Sequence, residues 1–427
     1  MSIKNTGNAG DKIDLATATI ADPELSKCPF AYYAKLRQEE PVRQDPSTGH
    51  HWIVKNDDVM KAFLDSEHFS SHHQLQFRDK FQPKAQKLFE AAGLQVPPTI
   101  LTSDPPEHAE LRSFGMTLFP VKRVAELAPG IETIVNELID DFIDQGHVEF
   151  SKKFAALLPA TIVADEYGFP RADRDQFKTW ADANLVLQTP GITEDEEVEL
   201  IGQLIELIRY IEKYLVNPPD RSQGRVMYDL ATRNRSDGTP FTLMERIYTG
   251  LTIFIGGVDT TAGALTAMLN HLCHHPEMQD QLRGNTELIS HFVEEILRLE
   301  APVQATPRRI TKDIEFAGRQ LNEGEFAMIC NGSANRDEAV WGADADEFKL
   351  VRSNHNQHRT FGYGRHVCVG MHLARVELNI AIRVILDRIE DIRFQNPDNP
   401  PQRVPMAIFN AYDSMPITFK ARTVHTA

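Results

Sequence analysis

The feature that most constrains this chain is Phe-Gly-Tyr-Gly-Arg-His-Val-Cys-Val-Gly at residues 361–370, which surrounds Cys368 with three glycines. A helical pattern follows at once, from about residue 371 to residue 389. A cysteine just before a helix lies where unpaired backbone N–H groups and the helix dipole stabilise negative sulfur. The glycines let the backbone turn tightly around that sulfur. The stretch therefore predicts a site that holds a thiolate.

A thiolate in an enzyme commonly acts as a nucleophile or as a metal ligand. A nucleophile needs a histidine base, and His366 is poorly placed to be one because only one residue separates it from Cys368. An inert buried thiol is the commonest fate of a lone cysteine. That alternative does not explain the surrounding glycines and aromatic residue, so the residues favour a ligand without excluding the others.

Phe361, Gly364, Cys368 and Gly370 reproduce the pattern Phe-x-x-Gly-x-x-x-Cys-x-Gly, and Leu-Ala-Arg follows at residues 373–375. The pattern resembles the haem-binding loop of the cytochromes P450. The resemblance implies that Cys368 is the proximal thiolate ligand of haem b iron, pushing electron density that favours O–O cleavage. It also implies that Phe361, Gly364 and Gly370 help to hold the cofactor.

The resemblance runs from about residue 30 to residue 420 and implies the family's fold. That fold is mainly α with a small β subregion, shaped as a triangular prism. The haem lies between a long oxygen-groove helix and the cysteine-bearing loop. We therefore expect a flexible tail at residues 1–20 and a single cytochrome P450 domain at residues 21–427. Residues 72–103 have no clear periodicity and match the irregular segment that roofs the family's substrate pocket.

Composition excludes several function classes. The net charge of −16 argues against nucleic acid or an anionic membrane as a partner. Four cysteines without a Cys-x-x-Cys pair indicate neither a disulfide framework nor a zinc site, which fits a reducing cytoplasm. The N-terminus is polar and no apolar run reaches membrane-spanning length. In these respects the chain resembles the soluble bacterial type, and we expect a cytoplasmic protein.

A capping box predicts the start of one long apolar helix at residues 242–275. Gly256 and Gly257 lie in its middle, where each costs about 1 kcal/mol relative to alanine. Without the cysteine motif, close helix packing would explain them. With it, they resemble the family's oxygen-binding groove, which implies that both face the cofactor and that Asp259 and Thr260 are a catalytic acid–alcohol pair.

Four further residues match the family's haem-propionate partners. His108 and Arg112 are four residues apart and share a helical face, as an ordinary solvated pair also would. Arg308 and His366 complete the set by resemblance. Carboxylates inside a protein need donors of this kind.

A helix at residues 288–299 carries Glu295 and Arg298, which match the family's Glu-x-x-Arg. The pattern alone is weak, because helix surfaces produce it often. By resemblance the two residues join Arg352 in a buried structural ion network. Glu338 stands where the family usually has proline, which leaves the local loop geometry open.

The resemblance implies monooxygenation, in which one atom of O2 enters an organic substrate. No flavin or nicotinamide fingerprint occurs, so the electrons are expected from an iron–sulfur ferredoxin with an NAD(P)H-dependent reductase. A local basic patch would steer that acidic partner; its members are Arg112, Lys122, Arg123, Arg365 and Arg375. The alternatives are a haem-thiolate sensor without turnover, a peroxide-driven member of the fold, and a thiol hydrolase.

The expected substrate is compact and mostly apolar, a terpenoid or a small aromatic compound. One argument is a resemblance to the camphor-hydroxylase group at residues 49–52, 68–71 and 256–260. The other is an apolar lining. Any orienting hydrogen bond would come from Gln95, Gln304 or Asn410. The expected lining comprises Phe77, Phe81, Phe89, Val96, Leu185, Leu187, Ile253, Val303, Ala305 and Phe409.

Overall fold

The computed structural model describes residues 13–72, 81–187, 192–412 and 414–422. Its helices are α1 Pro23–Lys27, α2 Phe30–Glu39, α3 Asn56–Leu64, α4 Pro83–Ala91, α5 Glu107–Met116, α6 Val121–Asp140, α7 Leu157–Tyr167, α8 Arg174–Val186, α9 Glu194–Val216, α10 Arg225–Thr232, α11 Leu243–His274, α12 Pro276–Gly284, α13 Leu288–Leu299, α14 Asn331–Ala334, α15 Glu338–Trp341 and α16 Met371–Arg388. Its strands are β1 Val42–Gln44, β2 His51–Ile53, β3 Phe69–Ser70, β4 His147–Glu149, β5 Thr306–Ile310, β6 Ile314–Phe316, β7 Arg319–Leu321, β8 Phe326–Ile329, β9 Ile389–Phe394 and β10 Pro416–Ala421.

Helix α11 is the centre of the helical part. The predicted capping box is present, since the Thr242 side chain accepts from the Glu245 N–H at 3.2 Å and Glu245 accepts from the Thr242 N–H at 2.7 Å. The helix runs for 32 residues and packs against α7, α9 and α16 in one large apolar core. By length and composition alone α11 could span a membrane, but 56% of its most apolar window is buried within the protein.

The small β subregion joins distant parts of the chain. Its main sheet has the strand order β1-β2-β8-β5-β3, in which β2 and β8 pair in parallel. Side-chain contacts add to this pairing. The Asn56 N–H donates to Asp337 at 2.8 Å, and Arg37 donates to Glu338 at 3.1 and 3.3 Å. Residues 37–56 thus contact residues 327–338, in the last third of the chain.

Two sequence-based expectations require correction. The end of the predicted tail is packed, because Leu15 and Ile20 are buried with Phe30 and Trp52; residues 1–12 lie outside the described part. The segment 72–103 is not wholly irregular, because it contains helix α4. That helix begins with Pro83 at a first-turn position, where proline is favoured.

Candidate active site

The loop before α16 folds back on itself around Cys368. The Cys368 N–H donates to the Phe361 carbonyl at 2.9 Å, and a short turn over Gly364–His366 separates the two residues. Gly364 has a φ of +72°, which strongly favours glycine, and a β-carbon there would lie 3.2 Å from Leu64 Cδ2. The loop therefore needs glycine at this position, both for its turn and for its contact with α3.

The thiol of Cys368 reaches solvent although protein atoms crowd it. Burial raises its pKa, while the N–H groups of Gly370 and Met371 and the charges of Arg112 and Arg375 oppose that rise. The predicted stabilising groups are thus present, but they do not outweigh desolvation of the free thiol. A bound cation would reverse this balance, because metal coordination deprotonates a thiol.

A cluster of basic side chains forms beside the loop. It comprises His108 and Arg112 from α5, Arg308 from β5 and His366 from the cysteine loop. The His108 and His366 rings lie 4.0 Å apart, and His366 Nε2 is 3.0 Å from Ser71 Oγ. Buried His108 Nε2 has no hydrogen-bond partner among the described residues. The structure therefore brings together all four predicted propionate partners and leaves a buried polar atom for a ligand.

Electrostatics keep both imidazoles of this cluster neutral. Burial and the charges of Arg112 and Arg365 lower the pKa of His108 to about 4. Burial and the charge of Arg308 lower the pKa of His366 to about 3. Burial also lowers the pKa of Arg308 to about 10, although Asp104 opposes this change. Neutral histidines and charged arginines together suit carboxylate ligands.

The two glycines in the middle of α11 have different surroundings: the space beside Gly256 is open, and Gly257 is packed against another helix. A β-carbon on Gly256 would meet nothing within 4 Å, whereas one on Gly257 would lie 3.2 Å from Val163 of α7. Thr260 Oγ1 donates to the Gly256 carbonyl at 2.8 Å. Asp259 and Thr260 are half-buried. Gly257 therefore packs against a helix, which corrects the prediction that both glycines face the cofactor.

Comparison with known proteins identifies the family. The model of the family described as Cytochrome P450 matches residues 200–407. Nocardicin C N-oxygenase from Nocardia uniformis subsp. tsuyamanensis is 32% identical over 381 residues, which are 87% of this chain and 90% of that protein. The chain belongs to the cytochrome P450 family.

Two further comparisons extend over nearly the whole chain. The biotin biosynthesis cytochrome P450 of Bacillus subtilis (strain 168) is 29% identical over 95% of this chain and 100% of that protein. The solved structure of cytochrome P450 CREJ in complex with (4-ethylphenyl) dihydrogen phosphate superimposes with a TM-score of 0.86 at 26% identity, covering 92% of this chain and 98% of that one. The expected fold is confirmed, and the protein is a haem-thiolate monooxygenase of this family.

The cofactor of the family is haem, bound through a proximal cysteine thiolate. The residues present fit that group. Cys368 supplies a thiol, Gly256 leaves open space on α11, and buried His108 Nε2 lacks a partner among the described residues. Within the described part of the chain, no cluster of three or more His, Cys, Asp or Glu residues offers another metal site.

A buried ion network in this P450 lies behind the cysteine loop. Glu295 accepts from Arg298 at 2.8 Å through both oxygens and from Arg352 at 2.9 Å. Arg298 also donates to the carbonyls of Asn335 and Ala345 at 2.8 and 2.6 Å. The three predicted residues are therefore in contact, and Arg298 ties α13 to the segment before the loop.

Glu338 has a specific place in this region. It is the first residue of α15, where a negative side chain complements the helix dipole, and it pairs with buried Arg37 of α2. The residue that replaces the usual proline therefore forms an ion pair that proline could not form.

A second ion cluster was not expected from the sequence. Arg375 donates to Glu294 at 2.7 and 2.9 Å, and His358 Nε2 lies 3.0 Å from the same carboxylate. Burial opposes ionisation of Glu294, but these partners outweigh it and lower its pKa to about 2. The Arg375 guanidinium also lies 4.5 Å from the centre of the Phe361 ring. No sequence pattern links these residues, which are up to 81 positions apart.

This cluster changes the predicted basic patch. Arg375 is neutralised by Glu294, and Arg123 pairs with Glu166 at 2.7 Å. Lys122 and Arg365 are exposed, while Arg112 is half-buried beside Cys368. The surface charge available to a partner is therefore smaller than the sequence suggested.

The expected substrate lining is only partly brought together. Phe89 and Ile253 belong to the main core, against which Phe81, Val96 and Leu187 pack. Val303 and Phe409 form an isolated β-bridge. Phe77 and the Leu185 side chain lie outside the described residues. Ala305 instead packs with Leu15, Trp52 and Met328, which corrects its assignment to the pocket.

The roof helix α4 is held at both ends by α9. The Gln82 and Lys84 N–H groups donate to Glu197 at 2.7 Å and to Glu194 at 3.0 Å. At the other end, Arg209 donates to the Ala92 carbonyl at 2.6 Å. Side chains of α9 thus cap α4, which has no capping hydrogen bond from its own first residue.

Proposed function

We propose that Cys368 is the thiolate that binds haem iron in this chain and that the protein oxygenates a compact, mostly apolar organic molecule. The observation that carries the proposal is the meeting of this thiol with the cluster of His108, Arg112, Arg308 and His366. A thiol alone is compatible with several chemistries. A thiol beside side chains that can donate hydrogen bonds to two carboxylates is compatible with haem, which carries two propionates. When bound, the haem supplies oxygen activation and electron transfer.

The residues around the bound haem would have different roles. Arg112 and Arg308 would bind the propionate carboxylates by charge, and His108 would donate through its buried nitrogen, which has no partner among the described residues. His366 supports the cluster through Ser71. The loop residues Phe361, Gly364 and Gly370 hold the sulfur in place, and the open face at Gly256 leaves space for the ring system and for O2.

Asp259 and Thr260 would donate and transfer protons beside the open face of α11 at Gly256. The Thr260 hydroxyl donates to the Gly256 carbonyl, so its oxygen remains able to accept a hydrogen bond. Positioned acid–base groups contribute about 100- to 10,000-fold to a step. We expect Thr260→Ala to continue consuming NADH but to divert it to peroxide, and Asp259→Asn to slow oxygen reduction. Unchanged product yield per NADH in Thr260→Ala would contradict this role.

The substrate is compact and apolar, with terpenoids and small aromatic compounds as the candidates. Phe81, Phe89, Val96 and Ile253 support this class. The CREJ neighbour, which was solved with a small aryl phosphate, supports the aromatic candidate.

An orienting hydrogen bond donated by Gln304 or Asn410 is disfavoured, although Gln304 Oε1 and Asn410 Oδ1 have no partner among the described residues and could accept one. Asn410 already donates to Glu300 at 2.9 Å, and Gln304 is buried against Gly332. Gln95, which is exposed, is the remaining candidate of the three. Tight spin-shift binding of fatty acids or sugars, with none of terpenoids or small aromatics, would contradict the proposed substrate class.

A ferredoxin with its NAD(P)H-dependent reductase delivers the electrons in this proposal, and the reaction takes place in the cytoplasm. The exposed Lys122 and Arg365 would steer the acidic partner, and salt would weaken that attraction. Reduction rates that do not change with salt for every competent ferredoxin would contradict the steering.

The test of the central assignment is spectroscopic. The ferrous–carbonyl complex of the wild type should show the red-shifted Soret band of thiolate ligation, and Cys368→His should lose it. Cys273→Ser is the matched control, because Cys273 is buried in the apolar core. A carbonyl spectrum like that of myoglobin in folded, active wild type would refute the assignment.

A further inference from the structure

A polar cavity of about 310 Å³ opens on the surface between α10 and the end of α5. This volume is at the lower end of the roughly 300–1,000 Å³ typical of small-molecule sites. None of its lining residues belongs to the candidate haem site. The lining consists of Thr117, Arg221, Arg225, Asp229, Thr232 and Arg233.

The cavity carries an excess of positive charge. Asp229 accepts from Arg221 at 2.9 and 3.3 Å and from Arg225 at 3.4 Å. Within the described part of the chain, Arg233 has no carboxylate partner. Three guanidinium groups therefore face one carboxylate, which leaves two positive charges on a protein of net charge −16.

The neighbouring acid Glu166 does not cancel this excess. Glu166 lies close enough to feel the charge of Arg225, but it is paired directly with Arg123 at 2.7 Å. Burial raises the pKa of Glu166, although both arginines oppose that rise. The negative charge of Glu166 is therefore balanced mainly by Arg123, which does not line the cavity.

Arg225 and Arg233 retain unused donors. Arg225 contributes its Nε to Asp229, and Arg233 contributes its Nη1 to Thr117 Oγ1 at 2.8 Å. The Thr117 and Thr232 hydroxyls already donate to carbonyls of their own chain segments, at 2.7 and 2.8 Å. The free N–H groups of the cavity thus belong to guanidinium groups, whose planar forks match phosphate oxygens.

We propose that this cavity binds a small molecule bearing a phosphate group, such as a pyrophosphate or a nucleoside phosphate. A dianionic phosphate would balance the two excess positive charges, and it would bridge the free N–H groups of Arg225 and Arg233. A neutral or cationic molecule would gain nothing from this lining. The site is separate from the haem and is independent of the substrate class proposed above.

Calorimetric titration of the haem-loaded protein with sodium pyrophosphate and with AMP, at constant ionic strength, tests the proposal. Adenosine and sodium sulfate are the comparison ligands. We expect saturable binding of pyrophosphate or AMP, none of adenosine, and weaker binding of sulfate. The double variant Arg225→Gln/Arg233→Gln should bind at least about tenfold more weakly, the size expected when charge-assisted hydrogen bonds are lost.

Arg174→Gln is the matched control, because the Nη2 of this half-exposed arginine lies 3.7 Å from an Oδ of Asp141, which directly follows α6 and does not line the cavity. It should bind as the wild type does, and all variants should keep the wild-type carbonyl spectrum. Pyrophosphate should also protect Arg225 and Arg233 of the wild type from phenylglyoxal, a readout that does not depend on the variants folding. Equal affinity in wild type and double variant, no protection, or binding no stronger than that of sulfate would overturn the proposal and indicate an adventitious ion only.

Discussion

Two regions, the buried ion network of Glu295, Arg298 and Arg352 (the floor) and the helix pair α4 and α9 (the roof), both contain pairs of charged side chains, but the exposure of these pairs differs. In the floor, Glu295 and Arg298 are 1% and 0% exposed and bind each other through two hydrogen bonds. In the roof, Lys84 and Asp195 form an ion pair while 60% and 86% exposed. Removing one partner of a buried pair costs several kcal/mol, whereas an exposed pair contributes little. Loss of the floor pair should therefore destabilise the protein strongly, whereas loss of the exposed roof pair should change its stability little.

The largest expected effect is on the floor. Arg298→Ala leaves the Glu295 carboxylate buried with one partner fewer, and the loss of a buried partner costs about 3–5 kcal/mol. We expect low haem content and a much lower urea midpoint. Arg209→Ala, which removes a link between roof helices, should cost less than about 1 kcal/mol. The comparison fails if the two variants unfold at similar urea concentrations.

A second prediction concerns Glu377, a buried residue of α16. Burial raises its pKa to about 8, and one of its oxygens has no partner among the described residues. The folded protein then keeps the proton that the unfolded chain loses above its ordinary pKa of about 4.3. Wild-type stability should therefore fall as pH rises from about 4.3 to 8 and level off above that.

Glu377→Gln removes this dependence, so its stability relative to wild type should increase by roughly 4 kcal/mol between pH 5 and pH 8.5. Urea unfolding at pH 5 and pH 8.5 measures it. The exposed Glu126→Gln serves as control. A difference between Glu377→Gln and wild type that is the same at both pH values would show that the carboxylate is solvated.

A smaller effect is expected at the cysteine loop. Gly364→Ala places a side chain on a left-handed residue, which costs about 1–2 kcal/mol, and brings it against Leu64. Haem should dissociate faster from this variant. Gly130→Ala has open space and a helical backbone in α6, so it should stabilise by up to about 1 kcal/mol. Equal haem retention in both variants would show that the loop tolerates the change.

The smallest effect on stability should come from the roof. Glu197 is buried, unlike the Lys84–Asp195 pair, and Glu197→Gln replaces its charged acceptor at the start of α4 by a neutral one, for an expected cost of about 0.5–1 kcal/mol. Because this contact joins two roof helices, its loss should instead appear as faster dissociation of a spin-shifting ligand in stopped-flow measurements. Glu199→Gln is the control, because Glu199 lies on the same helix and is exposed. Unchanged dissociation with Glu197→Gln would assign the contact to structure alone.

The sequence could predict those elements that local signals specify, and it could not predict those that depend on distant contacts. The ends of α11 and α13 were predicted correctly because a capping box and apolar periodicity are local signals. Helix α4 was missed although Pro83 is a local start signal, because the helix is short and the N–H groups at its start are satisfied by Glu194 and Glu197, more than a hundred positions away. A helix stabilised from elsewhere leaves little trace in its own sequence.

Even where a helix was predicted correctly, the neighbours that each of its residues contacts were hard to predict. Gly257 and Ala305 were assigned to the site, but each faces another packing partner. Gly256 and Gly257 are adjacent but point about 100° apart around α11, so the helix presents them to different neighbours. The partnership of Glu294, His358 and Arg375 similarly depends on how distant segments meet, and no spacing rule specifies that.

The pairing of β2 with β8 has a consequence for biosynthesis. Strand β2 cannot gain its parallel neighbour until the ribosome has made residues 326–329, and Arg37 then meets Glu338 across 301 positions. Contacts this distant slow folding, because the chain loses loop entropy before they form. We therefore expect the hairpin of β1 and β2 to lack its neighbour β8 on nascent chains, where protease sensitivity of residues 37–56 should persist until the segment around residue 338 has emerged.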